Sequence, residues 1–229
     1  MVNIDIVNVF VKIKKAEISI INEYFKRYIS CIEDLKNKVY LEYLEDFYED
    51  YYKKTDQLDE NELSIKRLYL KAFKEREIKD RIDYETQYLY YQVISSFIVV
   101  LSNKLQFQLI EFVKDCLNIE LPNYDDDAIC KIKKELKFLG IDIKNEDGFD
   151  LARTLTNVIK HGKGGSYNHL KSKYPEYLKG IEKYSKCSIF FTDLEVILNI
   201  DSSTVDLICN NICHLWDNIS QTLNKTSIS

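Results

Sequence analysis

Four side chains in one short stretch could do chemistry together: Arg153, Asn157, Lys160 and His161. They stand at i, i+4, i+7 and i+8, a spacing that gathers them within about 100° of one helix side. An imidazole can take a proton from a ribose 2′-hydroxyl, and an arginine or lysine beside it can hold a phosphate whose charge is growing. An amide such as that of Asn157 can orient the scissile group. Such a set is sufficient to cleave RNA without a metal. The same four residues also read as a solvated helix side with an ordinary C-terminal cap, and residue types alone leave both readings open.

These residues can share a side only if 147–161 is a helix held by its other side. Leu151, Ala152, Leu155, Val158 and Ile159 supply that apolar side. Asp147 or Asp150 can cap the start, and Gly162 stands where the helix should stop. His161 then closes the helix at its negative end, where positive charge is favoured. The loop Gly162-Lys163-Gly164-Gly165-Ser166 follows a helix and does not join a strand to a helix start. Its amides are therefore not aimed at a phosphate as in a P-loop. Between Lys160 and Lys186 seven lysines face only Glu176 and Glu182. Of these, Lys163, Lys171 and Lys173 are the ones expected to hold an RNA backbone.

Other candidates carry less. Cys209-x3-Cys213-His214 offers two thiols one turn apart, but no second pair lies at a zinc-site interval, so these cysteines read as small buried groups. No metal and no cofactor is expected. His169 and His214 have no evident partner in sequence and read as surface or packing residues. The Gly-x-Ser-x-Gly elbow and the His-Glu-x-x-His helix of common hydrolases and metalloproteases are absent.

Six glycines and two prolines in 229 residues leave little turn chemistry for a sheet, so the chain is expected to be all-α. Apolar residues at helical spacing mark Ile4 to Lys36 (Ile6, Phe10, Ile13, Ile20, Tyr24, Ile29, Ile32, Leu35) and then Val39–Lys54. Asp56–Asn61 is a polar break, with Asn61 or Ser64 as a cap, and Leu63–Arg81 is a weaker helix. Tyr84–Leu117 is the most apolar long segment and is expected to be the central helix, ended at Leu121-Pro122-Asn123. Asp125 to Asp127 can cap Ala128–Leu139, which Gly140 terminates. Beyond Pro175 a short helix near Glu176–Ser185 is expected, then an element over Ser188–Leu198, with Cys187–Phe191 as a strand or extended loop and Thr192 or Asp193 as a helix cap. A last helix, Val205–Leu223, follows Ser202 or Ser203, with Leu207, Ile208, Ile212, Leu215, Trp216 and Ile219 on its buried side. Residues 1–81 read as an N-terminal helical region and 82–229 as a helical bundle, together one compact unit.

The net charge of −5 argues against a protein that coats nucleic acid with its whole surface, and acidic residues dominate from Glu42 to Glu62. No signal peptide is read, the six scattered cysteines are expected to be reduced, and the apolar patch Val93–Leu101 falls short of a span of roughly 20 residues. A cytoplasmic protein with no membrane association is expected.

Thr156-Asn157-Val158-Ile159-Lys160-His161-Gly162, with Arg153 before it and Gly164, Ser166, Leu170, Pro175 and Tyr177 after it, resembles the motif region of the HEPN superfamily. These are small helical-bundle proteins of bacterial toxin–antitoxin, CRISPR-associated and antiviral systems. The resemblance covers roughly Tyr84–Leu223 and implies a HEPN-like bundle with a long N-terminal helical extension. In active members an Arg, four to six intervening residues and a His form an RNA-cleaving site where two copies meet. Here seven residues separate Arg153 from His161. If Asn157 is aligned as the polar residue after the Arg, Thr156 stands in the Arg position. The function expected is a metal-independent endoribonuclease, a toxin or antiviral effector. His161 would act as base or acid, Arg153 and Lys160 would stabilise phosphate, Asn157 would orient it, and a homodimer would form through the polar helix. The alternative is a non-catalytic helical module that binds a partner protein in a bacterial defence or toxin–antitoxin complex.

Overall fold

A computed structural model of the chain describes residues 3–55, 60–121, 126–143, 147–180 and 196–226, and among them there is no strand. The six α-helices among the described residues are α1 (Ile4–Thr55), α2 (Glu60–Glu111), α3 (Asp126–Phe138), α4 (Asp147–His161), α5 (Gly165–Lys173) and α6 (Ser202–Thr226). A π-helical turn, Phe112–Cys116, continues α2, and a 3₁₀ turn, Pro175–Leu178, follows α5. The all-α expectation is met.

The two segments expected before residue 56 are one helix, and those expected on either side of residue 82 are another. Each is 52 residues, about 78 Å at 1.5 Å per residue. Nothing in 36–39 or 81–84 breaks helical geometry, since neither Pro nor Gly occurs there. The two helices run antiparallel. Lys14 pairs with Glu111 at 2.7 Å, the Phe25 and Phe97 rings lie 5.1 Å apart, Lys36 pairs with Asp83 at 2.6 Å, and the Tyr48 hydroxyl donates to Glu75. Helix α6 runs back along α1, with Lys15 on Asp217 at 2.7 Å and Asn22 on Asp206 at 2.8 Å.

The core lies where α1, α2, α4 and α6 meet. Phe10, Phe112 and Trp216 form its aromatic centre, with ring centroids 5.6–5.7 Å apart. Beside them Gln108, fully buried, accepts a hydrogen bond from Trp216 Nε1 at 3.0 Å. Its amide donates to the Lys14 carbonyl at 3.2 Å and to Glu17 at 3.0 Å, so one side chain ties α1, α2 and α6 together.

The face of α1 is only in part the one that its spacing suggested. Of the positions that spacing marked, Ile32 is buried and Phe10 and Ile29 pack against the core, but Ile6, Ile13, Ile20, Tyr24 and Leu35 are exposed, and the helix also buries Val7, Val11, Ile18 and Phe25. The helix carries apolar residues on two sides, and a 3.6-residue period cannot say which side meets the core. Leu89 and Val100 of α2 and Leu207 of α6 are likewise exposed.

The glycine ends are as expected. Gly140 (φ +85°) closes α3 with its amide on Lys137 and the Ile141 amide on Leu136, the paired bonds of a Schellman end. Of the polar break expected at Asp56–Asn61, residues 56–59 lie outside the described residues, while Asn61 and Ser64, expected as caps, lie inside α2. Leu121 is not helical, and Pro122 and Asn123, the strand or loop expected at Cys187–Phe191 and the Thr192 or Asp193 cap lie outside the described residues. Val196–Ile200 is not helical, and Leu198 there donates its amide to the Tyr91 hydroxyl at 3.2 Å. By length and composition one helix among the described residues, over Lys71–Cys116, could cross a membrane, which the patch Val93–Leu101 alone could not. Its Leu101, Leu105 and Leu109 are buried in the bundle.

Candidate functional site

Helix α4 exists because its apolar side has three neighbours. Phe149, Leu151, Ala152, Leu155 and Val158 are buried against α2, α5 and α6. The helix stops at Gly162, whose φ of +63° is left-handed and whose amide bonds the Val158 carbonyl at 2.9 Å. This is the single-bond glycine end that leaves a helix abruptly. The turn Gly162–Gly164 then sends α5 back along α4.

That return covers part of the side on which the four candidates stand. Asn157 donates its amide to the Ser166 hydroxyl at 3.2 Å, so it clamps α5 to α4 at the turn. Arg153 is half-buried one helical turn earlier. Lys160 and His161 are exposed, and among the described residues the His161 imidazole makes no hydrogen bond or ion pair. Arg153 and His161 are eight residues apart, about 12 Å of helix rise, so within one chain they cannot grip the same phosphate. The cations closest in sequence to the imidazole are Lys160 and Lys163, both exposed.

Thr156 is 2 % exposed and donates its hydroxyl to the Ile98 carbonyl of α2 at 3.4 Å. A long cation there would point into α2, away from the imidazole. Of the lysines expected to hold RNA, Lys163 and Lys171 are exposed. Lys173 is engaged: its ammonium lies 2.8 Å from Asp150 and over the Tyr174 ring.

Asp150 is the centre of a cluster that sequence reading missed. His169 Nε2 lies 3.0 Å from its carboxylate, Lys173 2.8 Å, and the Tyr174 hydroxyl donates to it at 3.1 Å. Burial would raise this carboxyl, but the hydrogen bonds from Lys173 and His169 outweigh it and hold Asp150 below the usual carboxylate range. Burial pushes the Tyr174 phenol up to about 12. The hydrogen bond to Asp150, with a smaller one to Tyr174, keeps Lys173 charged well above the ordinary lysine value. The spacing could have revealed this cluster. Once α5 folds back at Gly162–Gly164, Asn157 meets Ser166 and, two turns away, Asp150 meets Lys173. His169, set aside in sequence for want of a partner, is one turn from Lys173 on the same side.

The cluster clamps the start of α4 to the end of α5. Of the four candidates, the His161 imidazole and Lys160 are the exposed ones. Cys209 is buried, its thiol pushed up to about 12 by burial first, and His214 is exposed. Among the described residues no three His, Cys, Asp or Glu side chains gather in a way that could hold a metal ion. No protein-family model, curated protein or solved structure matches this chain.

Proposed function

We propose that the chain is a metal-independent endoribonuclease whose reacting group is His161, acting in the cytoplasm within a bacterial toxin or antiviral defence system. The observation that carries this reading is the imidazole itself. It is exposed, makes no hydrogen bond or ion pair among the described residues, and stands at the negative end of α4 between Lys160 and the loop lysine Lys163. In the reaction, the imidazole takes the proton of a ribose 2′-hydroxyl. That oxygen attacks the adjacent phosphorus, and the 5′-oxygen leaves with a proton returned from the imidazolium, giving a 2′,3′-cyclic phosphate end. Lys160 and Lys163 face the phosphate oxygens as their charge grows. Arg153 is a binder of a neighbouring phosphate and Asn157 a positioning residue that fixes the turn.

The test is cleavage of single-stranded RNA by purified protein in EDTA, with the ends of the products identified. His161→Ala should lower the rate at least ~100-fold, the lower range for loss of an acid–base group. Equal rates for the two proteins remove the reading.

A second reading, a non-catalytic module that binds a partner protein, is favoured by the apolar side that α1 leaves in solvent. It expects no RNA cleavage by either protein.

A further inference from the structure

The exposed apolar positions of α1 are not scattered. From Val9 to Leu35 they recur at steps of 4, 3, 4, 4, 4, 3 and 4 residues, all on one side of a straight helix, with Ile6 on that side before this run and Leu41 and Tyr43 exposed beyond it. That order reads the same in both directions and is centred on position 22. A stripe with this symmetry is its own complement when a second helix is laid antiparallel across it, the arrangement of a two-fold interface.

We infer that two copies of this chain pair through the outer side of α1, antiparallel about position 22. Val9 then meets Leu35 of the other copy, Ile13 meets Cys31, Ala16 meets Tyr28 and Ile20 meets Tyr24, and each pair recurs across the axis. All eight positions are exposed in the single chain, Ile20 and Tyr24 by 55 % and 58 %. The smallest of them, Ala16, falls opposite a large ring, as close packing of facing layers requires.

Two opposite-charge pairs along one flank lie close to this register: Asp5 falls about one residue from Lys38 of the other copy and Lys12 about two residues from its Asp34, all four exposed, while Glu23 near the axis comes beside the other copy's Glu23. Exposed apolar surface continues onto α2. Lys104 bonds Glu17 at 2.8 Å across the α1–α2 seam, and Val100, one turn from Lys104, is exposed at the same border.

Half-exposed side chains of this size present on the order of 700 Å² per copy, so a pair buries about 1,400 Å², within the ~1,200–2,000 Å² of stable complexes. Single chains seldom leave an apolar patch beyond about 600 Å² uncovered. The stripe has no run of cations, which binding to an anionic bilayer or to RNA would need. This interface shares no residue with the His161 site, so the two stand or fall separately.

Sedimentation velocity of the full chain should give twice 27.1 kDa, and the double variant Ile20→Glu/Tyr24→Glu, still helical by circular dichroism, should give 27.1 kDa. The register is tested by Ile13→Cys. On oxidation it should form an intermolecular disulfide to the native Cys31, absent in wild type and lost when Cys31→Ser is added. The two positions lie 18 residues apart on one straight helix, about 27 Å, so they cannot bridge within a chain. A monomeric wild type at about 100 µM, a dimer indifferent to the double variant, or a cross-link that persists without Cys31 would each overturn the proposal. So would a monomer that floats with anionic phospholipid vesicles and ceases to do so in the double variant, since the stripe would then be a bilayer-docking face.

Discussion

Replacing Gln108 by leucine removes the one side chain that joins α1, α2 and α6 through polar contacts in the core. Its oxygen is the acceptor for Trp216 Nε1 at 3.0 Å, and its amide serves the Lys14 carbonyl and the Glu17 carboxylate. Leucine fills a similar volume, so no large cavity opens. The indole N–H, on a tryptophan with no exposed surface, is left without that acceptor, which costs about 1–3 kcal/mol. Glu17 keeps Lys104 at 2.8 Å and Lys14 at 3.3 Å, so its loss is the smaller part. The total is about 2–4 kcal/mol, or roughly 5–15 °C of melting temperature for a chain of this length. Urea unfolding followed by far-ultraviolet circular dichroism gives the stability. The emission of Trp216, the only tryptophan, reports its surroundings directly. A loss below about 1 kcal/mol with unchanged emission would refute the role assigned to this hydrogen-bonded hub.

Gly162→Val places a β-branched residue at φ +63°; it should cost about 1–2 kcal/mol or more and displace Lys163, read as lower stability and weaker RNA retention than in wild type. Asp150→Asn should cost about 1 kcal/mol at neutral pH, measured by thermal unfolding. Because the folded carboxyl titrates below its unfolded value of about 3.9, its contribution is complete well above that pH and is lost as pH falls through the lower folded value. The gap between wild type and Asp150→Asn should therefore close in strong acid, and a gap that widens there would contradict the clamp.

Helix content, the ends at Gly140 and Gly162 and the buried side of α4 were legible because each depends on local residues. Leu151, Ala152, Leu155 and Val158 have no competing apolar stripe, so their period names the buried side. On α1 two stripes compete, and the choice is made by partners far away in sequence: Phe97 meets Phe25, Trp216 meets Phe10, and α6 packs along the helix. Asp150 and His169 escaped notice for a related reason. They are 19 residues apart, and their meeting depends on α5 doubling back at a glycine turn rather than running on. At the candidate site the residue types and their helix were readable, but their depth was not. Arg153, Asn157 and His161 share a side of α4, yet the return of α5 engages Asn157, while His161, one residue before the turn, remains in solvent.

The most direct measurement is the rate at which wild type and His161→Ala cleave a single-stranded RNA in EDTA. Wild type is expected to generate 2′,3′-cyclic phosphate ends and the variant to be slower by ~100-fold or more. Equal rates, or cleavage that disappears from wild type when EDTA is added, would contradict a metal-free site built on this imidazole.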